Sequence, residues 1–124
     1  MSGKELGNLG ESIAAKWLHD SNGFEITERN WRCKDAEIDL IAKHDDTIRI
    51  IEVKSRMESA KESIANSLAR PKMRKLVKGA DSYMSTCMNA AGEIFFDLVT
   101  VIFSRDMKSH SVEYTPCFFY PEWC

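Results

Sequence analysis

Glu37, Asp39, Glu52 and Lys54 are the residues of this 124-residue chain whose types and spacing could do chemistry together. Side chains two apart in a strand point to the same face, so Glu37 and Asp39 share one side of a β-rich run and Glu52 and Lys54 share one side of the next. Between the runs lies His44-Asp45-Asp46-Thr47. If Asp45-Asp46 is a two-residue hairpin loop, Asp39 faces Glu52, Glu37 faces Lys54, and all four fall on one face. Directly opposed strand residues have Cβ atoms roughly 4.5 to 5.5 Å apart, where like charges destabilise the pair. Two carboxylates converging beside Ile41, Ile50 and Ile51 would either share a proton or hold a hard divalent cation through oxygen ligands, and Mg²⁺ with several retained waters suits that arrangement. The competing reading is an ordinary salt-bridged sheet face in which Lys54 neutralises Glu37. Glu11 shifts the balance, because on a helical wheel it borders an apolar stripe beside Gly7, Ala14 and Leu18 and can lean toward the sheet as a third carboxylate.

The elements that must position these groups follow from capping and periodicity. Ser2-Gly3-Lys4-Glu5 fits a capping box. Leu6, Leu9, Ile13 and Trp17 then recur at helical spacing until Asn22-Gly23 ends the stripe, which predicts a helix over about residues 3 to 21. From Phe24 the period changes to three consecutive antiparallel strands: one containing Phe24, Ile26 and Trp31, then Glu37 to Lys43, then Thr47 to Arg56. Met57 to Ala69 has little periodicity. Pro71 suits the first turn of a second helix running to about Cys87, with Met73, Leu76, Val77, Ala80, Tyr83 and Met84 on its apolar face and Arg70, Arg74 and Lys78 on an exposed stripe. The nearly unbroken apolar run Ile94 to Phe103 reads as a strand covered on both faces, and the tail from Ser111 as a short edge strand with aromatic packing. The pattern predicts one α/β domain, a mixed sheet flanked by helices in the order helix, three strands, helix, strand, with residues 104–124 as an extension. Asp97, mid-strand in an apolar run, is expected to be hydrogen-bonded near the site or to an arginine.

Composition narrows the function classes. No apolar run approaches the roughly 18 residues that cross a bilayer, and the start lacks a signal peptide's apolar core, so the expectation is a cytoplasmic protein without a membrane partner. Cys33, Cys87, Cys117 and Cys124 are scattered and form no zinc-spaced cluster, which reads as reduced thiols. His19, His44 and His110 share no close spacing. The net charge of −2 hides an uneven distribution: residues 1–53 carry 7 basic and 11 acidic side chains, 54–78 carry 8 and 2, and 79–124 carry 2 and 6. Within the basic middle, Arg56, Arg70, Lys72, Arg74, Lys75 and Lys78 could contact the phosphates of a nucleic acid, although a solvated helix surface is the commoner meaning of such a charge run.

Several stretches stand out together: Gly7-Asn8-Leu9-Gly10-Glu11, Arg29-Asn30-Trp31-Arg32-Cys33, Glu37-Ile38-Asp39-Leu40-Ile41-Ala42, Glu52-Val53-Lys54-Ser55-Arg56, Lys72 with Arg74, and Phe96-Asp97-Leu98-Val99. In this order they resemble the YraN-like group of the PD-(D/E)XK nuclease superfamily, which is similar to archaeal Holliday-junction resolvases. The resemblance spans about residues 3 to 103. It departs at Ala36, where a glycine is usual, at Phe95, where an arginine is usual, and in a glycine-free loop after Lys54. It implies a restriction-endonuclease-like core and a metal-dependent endonuclease acting on DNA. Asp39, Glu52 and the Val53 carbonyl would hold Mg²⁺ or Mn²⁺, Lys54 would be the catalytic lysine and Glu11 the helix-borne acidic partner. It further implies products with 5′-phosphate and 3′-hydroxyl ends, and a homodimer as in resolvases. An alternative within the same scaffold is a nucleic-acid-binding module that cuts little or nothing.

Overall fold

The computed structural model describes residues 1–59, 69–87 and 91–123. Helix α1, Gly3–Asn22, starts on the predicted capping box: Ser2 Oγ accepts from Glu5 N–H at 3.2 Å and the Glu5 carboxylate accepts from Ser2 N–H at 3.4 Å. It stops where Gly23 takes φ +68° and donates its N–H back to the His19 carbonyl, a left-handed cap that a Cβ would disfavour. Three strands follow, β1 (Glu25–Arg32), β2 (Glu37–His44) and β3 (Thr47–Met57). Helix α2 is Arg70–Thr86, with Pro71 in its first turn. Strands β4 (Glu93–Phe103) and β5 (His110–Phe119) complete the sheet, and a short 3₁₀ turn covers Pro121–Trp123. The expected irregular loop after Met57 falls largely on residues 60–68, outside the described residues, as does Cys124.

The sheet runs β1-β2-β3-β4-β5, antiparallel except for the parallel β3/β4 pair. β4 is therefore interior, as its continuous apolar character predicts. The predicted mixed α/β sheet stands, and the tail contributes more than a short strand: β5 is ten residues long, and Phe118 and Phe119 are core residues. Residues 110–119 are thus part of the sheet rather than a cover over its end.

Each face of the sheet carries one helix and one core. Leu40, Ala42, Ile51, Val99, Val101 and Phe103 pack with Ala14 and Leu18 of α1. Ile38, Ile41, Ile48, Ile50, Phe96 and Leu98 pack with Met73, Leu76, Ala80 and Tyr83 of α2. Gly10 lets α1 lie directly on β3, since a Cβ there would overlap the Ser55 side chain. Half-buried aromatic residues border the two cores: Trp31 meets buried Tyr83 edge-on at 5.5 Å, and Trp17 meets Tyr114 at 5.8 Å. No helix among the described residues is long and apolar enough to cross a membrane.

Candidate active site

The hairpin closes as its spacing predicts. Asp45 takes φ +53°, the left-handed conformation a two-residue turn needs, and pairing runs from His44↔Thr47 to Leu40↔Ile51. There the ladder stops. Ile38 and Ile41 lie on the α2 side while Leu40 and Ala42 lie on the α1 side, so strict alternation fails between Ile38 and Leu40. Asp39 sits at that break. Instead of simply facing Glu52 across a regular ladder, it inserts its carboxylate where β2 and β3 part, and Oδ2 accepts the Val53 N–H at 2.8 Å. A side chain has taken over a backbone donor that the antiparallel ladder would otherwise use.

Glu52 is 4% exposed and within electrostatic reach of Asp39. Burial, and next the Asp39 charge, push its carboxyl up to about 7, against the opposing pull of Lys72 and Lys54. Lys72, from the first turns of α2, stands 3.3 Å from Glu52 Oε2, yet the buried Oε2 receives no aligned hydrogen bond. Burial is also the main cause raising Asp39, with the Val53 N–H and Lys72 opposing and Glu37 adding to the rise. Glu11 leans in from α1 as expected: its carboxyl is raised by burial and then by the neighbouring Asp39 charge.

The remaining residues sort by position. Lys54 follows Glu52 on β3, half-buried, and acts on the Glu52 charge. Glu37 is paired to Arg32 of β1 at 3.4 Å rather than neutralised by Lys54. Arg70, Arg74, Lys75 and Lys78 are exposed along α2 and Arg56 is half-buried on β3, whereas Lys72 belongs to the carboxylate cluster. Asp97 is held by an arginine, the second of the two expected alternatives. It is fully buried and accepts from Arg49 Nη1 at 3.2 Å, Tyr114 Oη at 2.8 Å and Cys117 N–H at 2.9 Å. Arg49 in turn lies 4.5 Å over the Phe95 ring.

The family model described as "Uncharacterised protein family UPF0102" matches residues 10–101. A UPF0102 protein of Clostridium kluyveri is 40% identical over 101 residues, covering 82% of each chain. One of Dictyoglomus thermophilum is 35% identical over 114 residues, 92% of this chain and 96% of the relative, and one of Beutenbergia cavernae is 35% identical over 100 residues, 81% and 84%. The chain belongs to the UPF0102 family. UPF0102 is the YraN family, so the resemblance read from the motifs holds at that level.

Every carboxylate of the cluster in this UPF0102 chain lies inside the matched segment. Sequence reasoning missed one member of the site, Asn30. It takes φ +51° within β1 and, with its amide nitrogen turned to Glu11, donates to Oε2 at 3.0 Å and Oε1 at 3.3 Å. The available signal was its type, since asparagine tolerates left-handed backbone better than other non-glycine residues.

As a metal site the cluster is a carboxylate pair. Among the described residues no group of three or more His, Cys, Asp and Glu side chains is gathered to hold an ion. The pair itself fits a hard divalent cation: all donors are oxygens, and the buried Glu52 Oε2 is left with the Lys72 ammonium at 3.3 Å and no aligned hydrogen bond.

Proposed function

We propose that this UPF0102 chain is a metal-dependent phosphodiesterase acting on nucleic acid, with DNA, including branched DNA, as the first substrate class to test. The observation that carries this reading is the carboxylate pair itself, half-buried Asp39 beside buried Glu52, whose Oε2 is met by the Lys72 ammonium at 3.3 Å without an aligned hydrogen bond. Burying two carboxylates side by side is costly, and a cation offsets that cost. Asp39, Glu52 and the Val53 carbonyl would hold Mg²⁺ or Mn²⁺. Such an ion withdraws charge from a phosphate oxygen and lowers the pKa of bound water. Lys54 would orient or deprotonate the attacking water, or offset charge building on the phosphorus centre, and Glu11 would fix the water by hydrogen bonding. The Val53 N–H keeps one Asp39 oxygen aimed. Arg56, Arg70, Arg74, Lys75 and Lys78 would take phosphates along the strand, which positions a substrate without reading its sequence, while Lys72 is near enough to the carboxylates to meet the phosphate being cut.

One observation favours a second reading, a nucleic-acid-binding module that does not cut: the Lys72 ammonium already lies beside the oxygen a cation would need. Titrating Mg²⁺ and Mn²⁺ into purified protein with branched, single-stranded and duplex DNA separates the two. The phosphodiesterase reading expects metal-dependent cutting that disappears in Asp39→Ala and Lys54→Ala. Salt-sensitive binding without cutting, with a log–log slope of about −0.9 per phosphate neutralised, supports the second reading instead. Cutting that survives both substitutions refutes the site.

A further inference from the structure

We propose that Asn30 is a positioning residue that acts through Glu11, holding that carboxylate against Asp39 by its side-chain amide; the inference rests on the phosphodiesterase reading above. Three observations meet at this residue. The β1/β2 register pairs Arg29 with Leu40 and Trp31 with Ile38, which sets Asn30 across from Asp39. Asn30 interrupts the extended backbone there with φ +51°, a conformation that costs a non-glycine residue free energy and persists only where surroundings impose it. With its amide nitrogen turned toward α1, it reaches both Glu11 oxygens, at 3.0 and 3.3 Å, and the Glu11 carboxyl lies close enough to Asp39 to be raised by its charge.

The neighbouring residue strengthens the clasp. Arg29 Nη2 donates to Ser12 Oγ at 3.0 Å, so two successive β1 residues grip two successive α1 residues, Glu11 and Ser12. A carboxylate on a helix surface has several rotamers, and a forked donor that engages both oxygens selects one of them. Without Asn30, Glu11 is free to leave Asp39 for solvent, and the catalytic group loses its orientation while the fold keeps its core. The left-handed backbone explains why asparagine serves here: it tolerates φ > 0 and carries an amide donor, whereas glycine offers only the first and glutamine only the second.

Asn30→Gly tests this, because glycine keeps the backbone conformation without strain and removes only the amide. In the full-length chain, Mn²⁺-dependent DNA cutting should fall by about 10- to 100-fold in kcat, the usual loss when a ligand's outer partner is removed, with KM for DNA unchanged. The loss should be non-additive with Glu11→Gln: the double variant should be no slower than Glu11→Gln alone, as expected for two residues acting as one unit. Should Asn30→Gly melt at lower temperature than the parent, Asn30→Asp provides the second arm. It keeps the size and the left-handed tolerance but presents an acceptor to Glu11, and the same loss is expected. Parent-like kcat in these variants, or losses that add to that of Glu11→Gln, overturns the role of Asn30 alone. A parent chain that cuts no DNA with any divalent metal overturns the phosphodiesterase reading and this inference with it.

Discussion

Replacing Glu52 by glutamine should stabilise the protein, and increasingly so as pH rises. Glu52 is 4% exposed, and burial with the Asp39 charge raises its carboxyl from 4.5 to about 7. A carboxyl raised on folding binds more protons folded than unfolded between those two values, so stability falls as pH climbs through the window and stays reduced above it. At about 1.4 kcal/mol per pH unit, the full cost above pH 7 is on the order of 3 kcal/mol. Near pH 5, where the folded carboxyl still keeps its proton, it is about 1 kcal/mol. Glutamine has no proton to lose and escapes the cost. The Lys72 pair given up in exchange is worth little, since the Lys72 side chain is 39% exposed and screened by water. For a chain of this length about 3 kcal/mol corresponds to roughly 10 °C in Tm. Circular-dichroism melts of the parent and Glu52→Gln in metal-free buffer at pH 5 and pH 8 should therefore show a gain of about 3 °C at the lower pH and about 10 °C at the higher. An equal gain at both, or a variant less stable than the parent at pH 8, would refute the claim that this carboxylate is ionised at a cost.

Two further substitutions probe the scaffold. Gly10→Ala should destabilise by about 1 to 3 kcal/mol in urea unfolding, because its Cβ would meet the Ser55 side chain; adding Ser55→Ala should recover part of that loss, and full parental stability in Gly10→Ala would show that α1 does not rest on β3 as described. Asp97→Ala should cost about 3 to 5 kcal/mol by leaving Arg49 charged and unpaired in the core, while the heat of Mn²⁺ binding at pH 8 stays unchanged. A matching loss of metal binding would place Asp97 in the site.

Much of the fold was legible because several local signals agreed. Ser2 and Glu5 announced the start of α1, Gly23 its end, and the two-residue turn at Asp45-Asp46 set the first five β2/β3 pairs. One residue further along that register come Asp39 and Glu52, which the spacing brought together without showing how they meet. Alternation describes a continuous ladder, and the ladder ends at Leu40, where the Asp39 side chain replaces a backbone partner. Charge spacing left Lys72 out of the exposed Arg70, Arg74 and Lys78 stripe but could not place it beside Glu52, because a helical wheel shows which residues share a face but not how close the first turn of a helix comes to a neighbouring strand. Asp97 was recognisable as a residue needing a partner, yet Arg49, Tyr114 and Cys117 converge on it only through the β3/β4/β5 pairing. Asn30 stayed hidden because its residue type, the available signal, permits a left-handed backbone without requiring one.

Isothermal titration calorimetry of Mn²⁺ into the purified protein at pH 8 decides whether Asp39 and Glu52 hold a cation between them. Saturable heat is expected from the parent chain and is lost in both Asp39→Asn and Glu52→Gln. No heat from the parent, or heat unchanged in both variants, would contradict a cation held there.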